Sequence, residues 1–153
     1  MELRDRVMAE MKQAMKDKNT TRVSTLRLIN AAIKDRDIAA RGEGRDEGVS
    51  DADVLAILGK MVKQRQESAR QYEEASRFDL AEREQVEITV IEDFLPRQLN
   101  EDEVANAVEA AIAEVGGSSI RDMGKVMGVL KGQYTGQMDF GAVGPMIKQR
   151  LSA

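Results

Sequence analysis

Apolar residues recur along this chain at three- and four-residue spacing, and no stretch alternates as a strand would, so the pattern is helical throughout. Leu3, Val7, Met11 and Met15, widened by Met8 and Ala14, predict a first helix over residues 2–17. Lys16, Lys18 and Asn19 make a polar stop, after which Thr20 or Thr21 offers a cap. A second helix follows over about 22–41, with Leu26, Ile29, Ile33 and Ala40 or Ile38 inward. Gly42, Gly44 and Gly48, separated only by charged residues, predict a mobile loop. Ser50 with Asp53 three residues on opens a third helix over 51–75, on the order of 37 Å long, whose stripe is Val54, Leu58, Met61, Val62, Ala69 and Tyr72. Ser76-Arg77-Phe78 interrupts it. Asp79 with Glu82 reads as a second capping box, restarting a fourth helix to about residue 93 that buries Leu80, Val86, Val90, Ile91 and Phe94.

Pro96 divides the pattern, since proline disfavours the helical conformation of the residue before it and Leu95 to Leu99 reads as an extended hinge. The expected fold class is all-α, an N-terminal four-helix unit (1–95) and a C-terminal three-helix unit (96–153) joined at this hinge. In the second unit Asn100 and Glu103 cap a fifth helix with Val104, Val108, Ile112 and Val115 inward, and Gly116-Gly117 stops it where a left-handed residue is wanted. Ser118 or Ser119 caps a sixth helix. A turn at 133–138 contains Gly136, and Asp139 caps a last helix with Phe140, Val143, Ile147 and Leu151 inward. Pro145 implies that this helix either starts late, near Gly144, or kinks.

The sixth helix stands out. At about 100° per residue, Ile120, Met123, Met127 and Leu130 share one face, while Arg121, Gly124, Lys125, Gly128 and Gly132 share another. A glycine inside a helix costs roughly 1 kcal/mol against alanine, so three on one arc imply a close approach. The approaching body is either another helix of this protein or a partner's backbone held by Arg121 and Lys125.

Composition narrows the chemistry. Of 153 residues 33% are charged and only 3% aromatic, with no cysteine and no histidine. A thiol nucleophile, a disulfide framework, a zinc–cysteine site and the usual base for a serine nucleophile are thereby excluded. Glu82, Glu84, Glu87, Glu92 and Asp93 spread around their helix instead of gathering, so no metal is expected. Gly124-Lys125 is not a phosphate-binding loop, because Ser119 stands where that motif needs glycine, Val126 where it needs a hydroxyl, and no strand precedes it. No catalytic residue and no cofactor is assigned. The charged N-terminus and the lack of a long apolar run point to a cytoplasmic protein with no membrane partner. Formal net charge is −4, yet from residue 119 onward Arg121, Lys125, Lys131, Lys148 and Arg150 outnumber Asp122 and Asp139. The basic residues of the second helix, Arg22, Arg27, Lys34, Arg36 and Arg41, read first as a solvated face and only second as an RNA contact.

The string Asp122-Met123-Gly124-Lys125-Val126-Met127-Gly128, followed by Leu130-Lys131, Gly136 and Asp139, resembles the signature of the YqeY family and of the related tail domain of the GatB subunit of tRNA-dependent amidotransferase. Arg27-Leu28 through Ile33-Lys34, Lys63-Gln64-Arg65 with Glu67-Ser68, Arg77-Phe78-Asp79-Leu80 and Phe94-Leu95-Pro96 extend the resemblance over nearly the whole chain. Ser76 departs from it where a glycine is usual, as does Pro145. The resemblance implies an all-helical two-part protein related to the tRNA-holding, non-catalytic part of a translation enzyme. The expected tRNA-binding set is Arg121, Gly124, Lys125, Gly128, Lys131, Lys148 and Arg150, with weak, salt-dependent recognition of shape and phosphate. The alternative it carries is an accessory subunit or regulator of an amidotransferase, a carbon–nitrogen ligase with glutamine as amido donor, acting through protein contacts. In a third reading the glycines mark only close helix packing.

Overall fold

The computed structural model describes residues 2–44 and 48–152, and among them the chain is all-α, with seven helices and no strand. It divides into two compact units, Met1–Leu95 and Pro96–Ala153. No helix among the described residues is long and apolar enough to cross a membrane.

The first unit contains α1 (Leu3–Lys16), α2 (Thr20–Gly42), α3 (Asp51–Glu74) and α4 (Phe78–Glu92). Successive helices pair as hairpins, α1 with α2 and α3 with α4, and α2 also packs on α4. The seam is built where periodicity places it: Val7 and Ala14 from α1, Leu26, Ile29, Ile33 and Ala40 from α2, Val54, Leu58 and Met61 from α3, Val90 and Ile91 from α4. Of the two candidates at the end of α2, Ala40 is buried and Ile38 is 65% exposed. Phe94 lies beyond the end of α4 and is buried, with the Arg6 guanidinium 5.0 Å from its ring centre. Val86, expected inside, is exposed, and Ile88 is buried instead.

Two helix starts differ from the expectation. α2 is capped by Asn19, whose side chain accepts from the Arg22 N–H, so Thr20 and Thr21 fall inside the helix. α4 begins at Phe78 without a side-chain cap, because the turn that closes α3 leads straight into it; Asp79 sits in the first turn, where its charge favours the helix dipole. α7 (Phe140–Ser152) begins just after Asp139, as the expected cap implies, and not late near Gly144; Pro145 lies inside it. The residue before that proline is Gly144, which has no Cβ to clash with the ring, and the carbonyl to which proline cannot donate, four residues back, belongs to the exposed Gly141. Residues 45–47 of the expected loop lie outside the described residues.

Two of the helices end on a residue with a left-handed backbone that is not glycine. Lys18 (φ 56°) and Ser76 (φ 58°) each follow a helix, and the same paired hydrogen bonds close both turns. At Ser76 the Arg77 N–H reaches the Tyr72 carbonyl at 2.8 Å and the Ser76 N–H the Glu73 carbonyl at 3.0 Å. The serine therefore holds the turn that a glycine would make, at a steric cost.

The start of α1 is clasped to the end of α2. Arg4 donates from both terminal nitrogens to Asp37, at 3.0 and 2.9 Å, and also to the Val49 carbonyl at 3.0 Å. Asp37 in turn accepts from the Val49 N–H at 2.9 Å. Gly48 (φ 81°) passes so close that a Cβ there would lie 2.8 Å from the Asp37 Oδ1. The Arg4 hydrogen bonds, with the Val49 N–H, hold the Asp37 carboxyl down to about 2 from 3.8.

Two predictions follow from this unit. Ser76→Gly should stabilise the protein by about 0.5–1 kcal/mol in urea denaturation, the relief of the left-handed backbone outweighing glycine's freedom in the unfolded chain. Because the carboxyl pKa of Asp37 is lower in the folded state than in the unfolded one, its contribution is present above the unfolded value and is lost as pH falls from about 5 toward 2. Asp37→Asn should cost on the order of 2 kcal/mol near neutral pH and flatten the loss of stability over that acid range in thermal melts.

Candidate nucleic-acid interface

The second unit comprises α5 (Glu101–Val115), a 3₁₀ turn (Ile120–Asp122), α6 (Met123–Tyr134) and α7. α5 starts on the expected Asn100–Glu103 capping box, and Arg97 donates to both oxygens of the Glu103 carboxylate at 2.8 and 2.7 Å. Those bonds, with the Asn100 N–H, hold the Glu103 carboxyl down to about 2. α5 ends at Gly116 in the left-handed conformation (φ 72°). Ala107, Val108 and Ala111 of α5, Val126 and Leu130 of α6 and Val143, Ile147 and Leu151 of α7 form one core with Met138.

That core fixes how α6 is rotated. Val126 and Leu130 are fully buried, with Met123, Met127 and Tyr134 flanking them. Ile120, expected on this stripe, lies in the 3₁₀ turn and is 48% exposed, because the tighter turn shifts the helical phase before α6 begins. Val126 was missed; its spacing of three from Met123 and four to Leu130 is the signal that finds it. α7 packs on the methionine side: a Cβ on the buried Gly144 would meet Met123 Cε at 3.7 Å and Met127 Cε at 3.9 Å.

The opposite side of α6 is bare. Gly124, Gly128 and Gly132 are exposed, and a Cβ built on any of them would have nothing within 4 Å. Among the described residues of this unit no helix packs on these glycines, so close packing of α5 or α7 does not account for them. At about 100° per residue the three glycines and Lys125 span one arc, with Lys131 at its edge. Arg121 stands exposed in the preceding turn.

The remaining cations are placed differently. Lys148 and Arg150 belong to α7 and lie on opposite flanks of its buried stripe, about 160° apart. Lys148 is exposed, whereas Arg150 is half-buried and paired with Glu109 of α5. Arg121, Gly124, Lys125, Gly128 and Lys131 therefore share α6 and the turn before it, whereas Lys148 and Arg150 belong to α7 and Arg150 is engaged by Glu109.

Asp122 starts α6 by reaching back: its carboxylate accepts from the Ser118 N–H at 2.9 Å and the Ser119 N–H at 3.2 Å. These bonds, aided by the Lys125 charge, lower its pKa. A carboxylate held there repels anions from the very tip of the helix. Among the described residues no group of three or more Asp and Glu gathers as a metal site.

The model of the Yqey-like protein family matches residues 4–151. Proteins named altered inheritance of mitochondria protein 41, mitochondrial, are similar to the chain. The one from Clavispora lusitaniae is 35% identical over 86 residues, 56% of this chain and 47% of that protein. The one from Lachancea thermotolerans is 33% identical over 86 residues, 56% of this chain and 44% of that protein. The one from Pyrenophora tritici-repentis is 28% identical over 134 residues, 84% of this chain and 71% of that protein. The chain spans about half the length of the first two. Their names overturn the cytoplasmic expectation: these relatives are mitochondrial proteins. A charged N-terminal helix and a soluble-looking core are compatible with either compartment, which is why the sequence misled.

The open glycines make a stability prediction independent of any partner. Gly128→Ala, in the exposed middle of α6, should stabilise the protein by about 1 kcal/mol, which raises the melting temperature of a unit of about sixty residues by roughly 4–8 °C. Calorimetry checks it. A fall in melting temperature would mean that the added methyl meets an obstacle.

Proposed function

The chain belongs to the YqeY family, and on that premise we propose that it is a non-catalytic tRNA-contacting protein whose α6 receives the sugar-phosphate backbone of a folded tRNA. The observation that carries this reading is the uncovered arc of Gly124, Gly128 and Gly132 beside Lys125. With no side chains on that arc, a phosphodiester strand can come closer to the helix than any other residue would permit, while Lys125, with Arg121 and Lys131 at the margins, neutralises its charge.

Aromatic stacking has little part in it. Tyr134 and Phe140 both pack against the core of the second unit, so recognition is of shape and phosphate, not of base identity. A handful of contacts on a chain of net charge −4 gives weak binding, on the order of micromolar at physiological salt.

Titration of labelled tRNA with the full chain at several salt concentrations tests the proposal. Lys125→Ala should weaken binding of all tRNAs alike and reduce the salt slope by about one. Gly128→Ala should bind less tightly although the protein is more stable, and Gly128→Leu less tightly still. Wild-type affinity in Gly128→Leu, or no binding at low salt, overturns the reading. If tRNA does not bind but the protein changes the rate of a complete glutamine-dependent amidotransferase, the face belongs to a protein partner.

A further inference from the structure

The first unit carries a separate open surface that the RNA reading does not use. At the turn from α1 into α2 lies a groove of about 730 Å³, lined by Met15 from the end of α1, Lys18 from the turn and Val23, Arg27 and Leu28 from α2. Met15 is 51% and Leu28 45% exposed, so two large apolar side chains stand in water beside a core that has no need of them.

No carboxylate lines this groove. Among the described residues neither Lys18 nor Arg27 forms an ion pair or side-chain hydrogen bond, although most arginines of this unit are paired with acids. A cationic rim without counter-charge, on a chain of net charge −4, selects an acidic partner. The outer face of α2 continues the theme: Lys34 lies two turns beyond Arg27, and Ile38 is 65% exposed.

The groove's shape decides between small and large partners. Of its lining residues only Val23 is buried, so it is too shallow to enclose a small ligand, most of whose surface a binding cavity must cover. A helix lying along two helices needs to bury only one stripe, and an exposed methionine adapts to such a stripe.

We propose that the α1–α2 groove docks an acidic amphipathic helix of a partner protein, with apolar residues at i, i+3 or i+4 and i+7 seated on Met15, Val23 and Leu28 and with aspartate or glutamate facing Lys18 and Arg27. The site is independent of α6 and of the tRNA reading.

The test is selection of a displayed library of random helical peptides of about sixteen residues on the immobilised full chain. Fluorescence anisotropy of the synthetic consensus peptide follows. The expected consensus has that apolar spacing and flanking acids. Leu28→Asp and Met15→Asp, each checked for unchanged helicity by circular dichroism, should weaken the peptide about tenfold or more. Lys18→Glu with Arg27→Glu should weaken it severalfold and abolish its salt dependence, while Val86→Asp on α4, equally exposed, should leave it unchanged. The proposal is overturned if no peptide is enriched over the Leu28→Asp chain, or if the consensus is basic or lacks apolar spacing. It is also overturned if Leu28→Asp and Met15→Asp both bind as the wild type does, or if tRNA displaces the peptide and loses affinity with the charge reversals alone, which would assign the groove to nucleic acid.

Discussion

The rotation of α6 about its own axis is the constraint on which the candidate site depends. Val126 and Leu130 are completely buried, and each buried side chain of this size contributes roughly 1.5–3 kcal/mol. Turning the helix enough to hide its glycines would expose both, a loss that no contact by a glycine can offset. The methyl ends of Met123 and Met127 lie beside the buried Gly144 of α7. Once the inward arc is set, the outward one is set by helical arithmetic, so the bare glycine face is a consequence of packing on the other side. The same logic explains how α6 tolerates three glycines: its stability comes from tertiary burial and little from helix propensity.

The first unit is held differently, by directed polar contacts that close the gaps between helices. Arg4, Asp37 and Val49 join three segments far apart in sequence. Arg22 bridges Glu10 and Asp93 in the same way, and Arg65 pairs with Glu87 between the long helices. The last pair is partly buried, and the adjacent Glu84 feels both burial and the Glu87 charge, which raise its pKa. Such pairs add little net energy where they face water; their effect is to select one packing among several that the apolar seam would allow.

What could be read from the sequence was whatever is local. The capping boxes at Ser50–Asp53 and Asn100–Glu103 and the left-handed stop at Gly116 depend on residues within one turn of each other, and all three form. So do the apolar stripes of the long helices. Ile120 was misplaced because a single 3₁₀ turn, invisible in a periodicity of 3.6, shifts the phase of everything before Met123. Ser76 hid its turn because its left-handed backbone is imposed by the hydrogen bonds around it and not by its own preference. In the candidate site the glycine arc and Lys125 were legible as a pattern, but whether that arc was covered was not, since this depends on where α5 and α7 pack. The pairing of Arg150 with Glu109 is likewise a tertiary fact. The exposure of Met15 was hidden for the same reason, because it sits on a stripe that looks inward until the neighbouring helix is placed.

The distribution of charge in the second unit resolves how an acidic chain can present a basic contact. Its acids are concentrated on α5, where Glu101, Asp102, Glu109 and Glu114 are exposed, while α6 from Met123 onward carries Lys125 and Lys131 and no acid at all. At physiological salt a charge is felt over only about 8 Å, so a polyanion meets whichever helix it touches and not the net charge of the chain. Glu109 removes Arg150 from competition by pairing with it, and Asp122 guards the tip of α6 against an anion approaching end-on. On the proposed reading each of these acids would narrow the approach: an anionic strand would be turned away from α5 and from the helix end, and left with the flank where backbone and Lys125 lie open together. Acidic residues beside a weak basic surface thus supply direction, which a uniformly basic unit of this size would lack.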